Sequence, residues 1–332
     1  MIRVSWRLQR LQLITLLGLL VAGAGAVVLL RSTMLGDITS SQLTRCVTQA
    51  LEQCDAPDAA AKAFQTAWTT PLNMGQAAIL GLPALIGVFI GAPLFARELE
   101  QGTHVLAFTQ SVSRTRWMSS KLVVALVPAL IVLIALQYLV SWWLSAAGTL
   151  GPRMSGPFSA LNFGIENVSP VGYALFAFAL GTFLGAVTRR TLVAMTAGLG
   201  AFIVVRFALS GLVNRLVPIQ RLEVAPATNT DVLQNGSLVL DEGWLDAAGQ
   251  PVSADRVSAV TQACKTTPSG VGTPESQQQF LACLPKSGLA KRYADFIPAS
   301  QAWQVHLVDV AIFGGLAVLL VAGTAWALRR QN

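Results

Sequence analysis

Apolar residues along this chain gather into six long blocks, Leu11 to Leu30, Ala77 to Ala96, Leu122 to Ser145, Val171 to Val187, Leu192 to Leu212 and Val305 to Leu328, with polar stretches between them. Each block approaches the roughly 20 residues that a helix needs to cross the hydrocarbon core of a bilayer. None alternates residue by residue as a membrane barrel strand must, and in lipid only helices or closed barrels satisfy every backbone polar group internally. The pattern predicts an all-α integral membrane protein, residues 1–332 forming a single transmembrane domain of six transmembrane helices. The first block follows Arg3, Arg7 and Arg10 and contains small residues from Ala22 to Ala26, the layout of a secretory signal. Its apolar part is too long for a typical signal core, so it is expected to persist as span 1.

Composition agrees, with 53% hydrophobic and 12% charged residues, where soluble domains carry about a quarter charged. Charge adds orientation. The segments at 1–10, 97–121, 188–191 and 329–332 hold eleven Lys/Arg (Arg3, Arg7, Arg10, Arg97, Arg114, Arg116, Lys121, Arg189, Arg190, Arg329, Arg330) against two acids, Glu98 and Glu100. Short basic segments stay inside, which puts both termini in the cytoplasm. Twelve further Lys/Arg are outweighed by fourteen acids on the other side. The overall charge of +7 therefore reads as topology and contact with anionic lipid, and nothing resembles a nucleic-acid motif. Trp117 and Trp326 at inner boundaries, with Trp142, Trp143 and Trp303 at outer ones, are expected to anchor at the interfaces.

Three segments then face outward: a first extracytoplasmic loop at 31–76, a second at 146–170, and 213–304, long enough for a small subdomain. All four cysteines, Cys46, Cys54, Cys264 and Cys283, lie in the first and third of these, which predicts disulfides on the oxidising side. Cys264 and Cys283 look like partners because each ends a short helix, one capped by Ser253, the other opened by Thr273-Pro274-Glu275. For Cys46 and Cys54 two alternatives stand. On one helix from Ser41 to Gln53 their α-carbons would lie about 12 Å apart, beyond disulfide reach; either that helix breaks or these cysteines pair elsewhere.

Enzyme signatures are missing: there is no His-Glu-x-x-His helix, no nucleophile elbow, and the two histidines, His104 and His306, fall on opposite sides of the membrane. No catalytic or metal-binding constellation is visible. Without Gly-x-x-x-x-Gly-Lys-Ser/Thr the chain has no phosphate-cradling loop, so any ATP-driven activity must come from another subunit. The cytoplasmic segment 97–121 is the most informative. Gly102 can break the helix leaving the membrane, Thr103 can cap a new short helix, and Val105, Leu106 and Phe108 give it an apolar side. By amphipathicity alone it would lie on lipid.

That segment, Arg97-Glu98-Leu-Glu100-Gln-Gly102-Thr103 followed by Ser113-Arg114 and by Lys121 opening the third span, closely resembles the cytoplasmic loop of type-2 ABC transporter permeases. Gly91-Ala-Pro-Leu-Phe-Ala-Arg97 and Tyr173-Ala-Leu-Phe-Ala-Phe-Ala-Leu-Gly181 through Arg189-Arg190 to Met195 resemble the actinobacterial branch of that family. One run departs from it: relatives tend to carry Pro-Ala-Ser-Arg-Phe-Trp before the last span, where this chain has Pro298-Ala-Ser-Gln301-Ala302-Trp303. The resemblance implies a coupling helix between spans 2 and 3 that docks into a separate ABC ATPase subunit, with Glu98, Glu100, Gly102, Thr103, His104, Ser113, Arg114 and Arg116 as coupling residues. It further implies a homodimer of permease chains in a bacterial plasma membrane. This chain then binds no cofactor, ATP and Mg being held by the partner subunit, and exports a hydrophobic or amphipathic substrate. The other function class the chain suits is a membrane sensor or scaffold whose extracytoplasmic subdomain binds a ligand.

Within the spans, Gly87-x-x-x-Gly91 and Gly181-x-x-x-Gly185 supply smooth faces, expected to serve contacts inside one bundle. Arg206, near the outer end of span 5, and Gln137, past the middle of span 3, are polar groups in costly surroundings. Arg206 either snorkels to the head groups or faces the substrate path or pairs with an acid such as Asp309.

Overall fold

The computed structural model describes residues 10–47, 58–102, 114–213, 216–226, 236–265 and 274–330. In chain order its helices and strands are α1 (Arg10–Ser40), α2 (Asp58–Leu85), a π-turn (Ile86–Gly91), α3 (Ala92–Glu100), α4 (Arg114–Ala147), α5 (Ala160–Ile165), α6 (Ser169–Thr188), α7 (Thr191–Val213), β1 (Gln220–Val224), β2 (Leu238–Leu245), α8 (Ala254–Cys264), α9 (Pro274–Lys286), β3 (Lys291–Ile297) and α10 (Ala302–Arg329). The chain divides into two units, Met1–Leu216 with Trp303–Asn332, and Val217–Ala302.

The first unit carries six helices long and apolar enough to cross a membrane, as the blocks predict. Span 1 is α1, span 2 is α2 with the π-turn and α3, and spans 3 to 6 are α4, α6, α7 and α10. Spans 1 and 2 are longer than their apolar blocks. Helix continues to Ser40 on one side and resumes at Asp58 on the other, so much of the expected loop at 31–76 is helical. The run Asp58-Ala-Ala-Ala explains the early start, alanine being the best helix former. The 42 residues of Ala59–Glu100 rise about 63 Å, twice the hydrocarbon thickness. A helix over Ser41 to Gln53 does not form in its described part: Gln42 takes φ +56°, the amide of Leu43 bonds back to Ile38 O at 2.9 Å, and this left-handed cap stops α1.

Span 4 is the hub, with 67% of its apolar window buried against 11% for span 1. Its contact with span 2 is built from glycine on both sides. A Cβ on Gly87 would lie 2.6 Å from Ala177 O, on Gly91 2.7 Å from Phe178 O, and on Gly185 2.5 Å from Ala92 O, while one on Gly181 would strike the Gly87 carbonyl. The two Gly-x-x-x-Gly motifs are thus each other's partners, and the backbones meet where any side chain would hold them apart. The π-turn falls three residues after Pro83, whose missing N–H and ring disturb the helical ladder. Spans 4, 5 and 6 meet through Tyr173, Phe176, Phe202 and Phe313, with both Tyr173 and Phe176 edge-on to Phe313 at 4.9 and 5.4 Å.

Two tryptophans expected at interfaces are core instead. Trp143 is buried and fills the space above Gly75, where a Cβ would sit 2.7 Å from its ring. Trp117 is buried against Phe95, ring centroids 5.6 Å apart. Trp142, Trp303 and Trp326 remain exposed, with the Arg31 and Arg330 guanidinium groups 3.8 and 4.0 Å from the Trp142 and Trp326 rings.

The second unit adds a three-stranded antiparallel sheet, order β1-β3-β2, so the all-α description holds for the membrane part alone. Its core joins Cys264, Leu284 and Leu289 with Trp244, Val257, Val260 and Phe280, and the bonded Cys264 and Cys283 have α-carbons 5.7 Å apart. On the sheet face Arg221 grips Asp295 through two 2.7 Å bonds, which hold the carboxyl below its usual range. Cys46 is also disulfide-bonded; Cys54 lies outside the described residues.

Because the span 2 to span 4 contact leaves no room for a side chain, Gly181→Val is expected to cost about 3 kcal/mol or more by overpacking. It should markedly lower the yield of monodisperse protein and its unfolding temperature in detergent. Gly314→Ala, at a site with open space, serves as the control and should change neither.

Candidate functional site

Chemistry-bearing side chains collect at the two ends of the first unit. At the basic end, the last turn of α3 projects Glu98 and Glu100. Two residues apart on a helix means about 200° around it, so the two carboxylates face different neighbours. Glu98 pairs with Lys121 of α4. Lys121 is only 5% exposed, and its ammonium also sits 4.4 Å from the Trp117 ring, which in turn packs with Phe95, Ala186 and Leu328 from spans 2, 4 and 6. Glu100 reaches the start of α7, accepting from the Thr191 amide at 3.1 Å and its hydroxyl at 2.8 Å. A carboxylate at a helix N-terminus satisfies an orphan donor and complements the helix dipole. Position 191 is held there because α6 ends in Arg189 at φ +55°, bonded to Gly185 O, leaving a two-residue link to α7.

The end of span 2 is thereby tied to span 3 by one carboxylate and to span 5 by the other. Just beyond, Gly102 turns the chain at φ +68° with open space around it. Arg97 and Arg116 are exposed, and Arg114 opens α4. Thr103, His104, Ser113 and the expected coupling helix between them lie outside the described residues.

At the opposite end, the short helix α5 inserts three consecutive residues among different spans. Asn162, buried, accepts from Gln76 of span 2 at 2.6 Å and donates to the carbonyls of Pro152 and Gly156 at 3.1 and 2.8 Å. Phe163 stacks on His306 of span 6, 4.2 Å between centroids. Gly164 lies beside Arg206 of span 5, where a Cβ would come 3.3 Å from Nη2. Ser159 caps this helix, its hydroxyl accepting from Asn162 N. Nearby, Glu166 is held above its ordinary range by burial, Arg153 at 3.8 Å opposing the shift.

Arg206 stacks on the Tyr173 ring, 3.7 Å from its centroid. Asp309 is buried in the neighbourhood of Tyr173 and Ser169, and Ser169 contacts His306 Nδ1 at 2.7 Å. Arg206 and Asp309 thus share a neighbourhood with Tyr173 between them. Gln137 stands apart, donating to Asn167 O at 2.8 Å and so fastening span 3 to the segment before span 4. Gln76, Asn162, Ser169, Tyr173 and His306 were not singled out as members of a site from sequence; a polar residue near the end of each apolar block was the available signal.

A family model described as ABC-2 membrane transporter related matches residues 17–214. The match takes in spans 1 to 5 and both carboxylate ties. No curated protein and no solved structure matches the chain.

Removing one partner of a shielded pair strands the other charge, whereas replacing both is tolerated. Glu98→Gln or Lys121→Met alone should lower stability by on the order of 2 kcal/mol. The double variant should recover most of that loss in thermal unfolding of the detergent-solubilised chain; a double variant as unstable as the sum of the two would contradict the direct pairing.

Proposed function

The chain belongs to the ABC-2 membrane transporter related family, and we propose that it is the membrane-spanning permease subunit of an ATP-driven exporter. It is a multi-pass membrane protein, and membrane transport subunits of this family work with an ABC ATPase that supplies the hydrolysis. On our proposal the complex sits in the bacterial plasma membrane with both ends of this chain in the cytoplasm. Two permease chains pair, the partner subunits hold ATP and Mg, and the cargo is hydrophobic or amphipathic.

The observation that carries the mechanism is the pair of ties flanking the segment at 103–113. Glu98 binds span 3 through Lys121 and Glu100 binds span 5 through Thr191. A push delivered to that segment when the ATPase closes reaches three spans together instead of bending one. Span 4 follows because its backbone rests on span 2 at Gly87 and Gly91. Rocking of packed helices as rigid groups is a common way for a closing domain to change access. Arg97, Arg114 and Arg116 add positive charge around the segment for docking. The disulfide Cys264–Cys283 suits the oxidising side, which fits 217–302 facing outward.

Affinity capture of the full chain from its native membrane should bring down an ATP-binding subunit, and capture of none would sink the exporter function. Glu98→Ala with Glu100→Ala should leave insertion and capture intact. It should lower the ATP hydrolysis of the captured complex about tenfold, the size of one coupling interaction of ~1.4 kcal/mol. Unchanged hydrolysis would remove the two ties from the mechanism.

A further inference from the structure

The segment between spans 3 and 4, residues 148–168, is fastened at its two ends and held in a different way in its middle. At one end the Thr149 amide donates to Val47 O at 3.1 Å, and a Cβ on Gly148 would strike that same carbonyl. At the other end Gln137 of span 3 donates to Asn167 O at 2.8 Å. Between the fastenings Gly156 turns the chain at φ +80°, a conformation glycine takes without strain. The middle rests on the bundle through contacts that can be released one by one. Arg153 donates to Ser141 Oγ of span 3 at 2.6 Å, and Asn162 accepts from Gln76 of span 2 at 2.6 Å. Phe163 lies on His306 of span 6 with the ring planes 9° apart, and Gly164 sits against Leu80 of span 2, which a Cβ there would strike. Ile165 adds an apolar anchor.

Seating α5 in this place has a cost. Its residues 162, 163 and 164 touch Gln76, His306 and Arg206 in turn. Each of those three side chains keeps one polar atom buried without a hydrogen-bond partner: Oε1 of Gln76, Nε2 of His306 and Nη1 of Arg206. A buried polar atom left unpaired forfeits the hydrogen bond it would make in water. Hydration of these atoms therefore opposes the seated position, while the Phe163 stack and Ile165 favour it. Opposing terms of this kind let a modest bias choose between two positions of one element.

We propose that the stretch 151–166 is the outer gate of the transport path, closed when α5 is seated. Opening breaks the bond between Gln76 and Asn162, unstacks Phe163 from His306 and lifts Gly164 from Leu80, while the fastenings at Thr149 and Asn167 hold the ends. Water then reaches the side chains that α5 covered. The proposal rests on the transport function and orientation given above, and it names the element that moves.

The test places a reporter thiol under the gate with Leu80→Cys and measures its reaction with a membrane-impermeant, positively charged methanethiosulfonate by mass spectrometry. The described cysteines are all disulfide-bonded, and the chain without Leu80→Cys gives the background. In phosphatidylcholine nanodiscs without any ATPase the reporter should react slowly. Adding Asn162→Ala should speed it about tenfold, the worth of one buried hydrogen bond, and Phe163→Ala should act in the same direction. Ala129→Cys, buried in the core of spans 1 to 3, should stay slow in both backgrounds. An unchanged rate at Leu80→Cys overturns the gate, and so does an equal rise at Ala129→Cys, which would mean a loosened bundle. In the complex captured with its ATPase, a non-hydrolysable ATP analogue should raise the rate at Leu80→Cys by a similar factor; no response there would make the segment a fixed plug and overturn the proposal. Should Asn162→Ala and Phe163→Ala both fail to fold, this nucleotide response on the otherwise unmodified chain decides. Failed capture of an ATPase sinks the transport function, whereas the nanodisc rates are read without one, so the two failures are separate results.

Discussion

The approach of span 2 to span 4 at bare backbone is the constraint on which the rest of the first unit depends. Helices in lipid gain little from excluding water between them, so their association rests on van der Waals contact and on hydrogen bonds. Glycine at positions 87, 91, 181 and 185 lets two backbones touch along more than a turn. Span 4 can then be covered on its other sides by the aromatic group of spans 5 and 6. The position of the last charged turn of span 2 follows from where that contact pins it.

Pinning the middle of span 2 leaves polar chemistry at its two extremities. At one, carboxylates reach sideways to span 3 and span 5; at the other, Gln76 reaches the Asn162 of α5. Spans 4 and 6 also contribute at both levels, through the apolar group of Phe95, Trp117, Ala186 and Leu328 and through Ser169 and His306. The same few helices therefore carry the carboxylate ties at the basic end and the buried polar groups at the other. Spans 1 and 5 bury much less of themselves.

How much of this was legible beforehand depended on whether one residue or a pair had to be recognised. Six spans were legible because a bilayer demands length, and length is visible in a single block. The glycine motifs were visible as spacings, but a spacing does not say which other helix it meets, and here each met the other. Glu98 and Glu100 were visible as charges in a short loop. Their separate partners were not: Lys121 was visible only as one more basic residue of the same segment, and the Thr191 amide, a backbone donor, has no letter in the sequence. Arg206 and Asp309 were legible as costly intramembrane charges, yet the ring of Tyr173 between them was not, since an aromatic residue in an apolar span reads as filler. Trp117 and Trp143 misled for the converse reason: proximity to a boundary is a matter of depth, and depth does not say which way a side chain turns. The extensions of spans 1 and 2 were missed because polar helical turns outside the bilayer carry no hydropathy signal.

The π-turn at Ile86–Gly91 sets a phase. A turn that closes on one more residue than its neighbours shifts everything after it by about 100° around the helix axis. Gln76, before it, and Glu98 and Glu100, after it, are therefore read against different angular zeros. The directions in which the two carboxylates point are decided by a residue count some ten positions upstream, in a stretch with no charge of its own. A change there that conserved every apolar letter but removed one residue would leave the acids in place and aim them elsewhere.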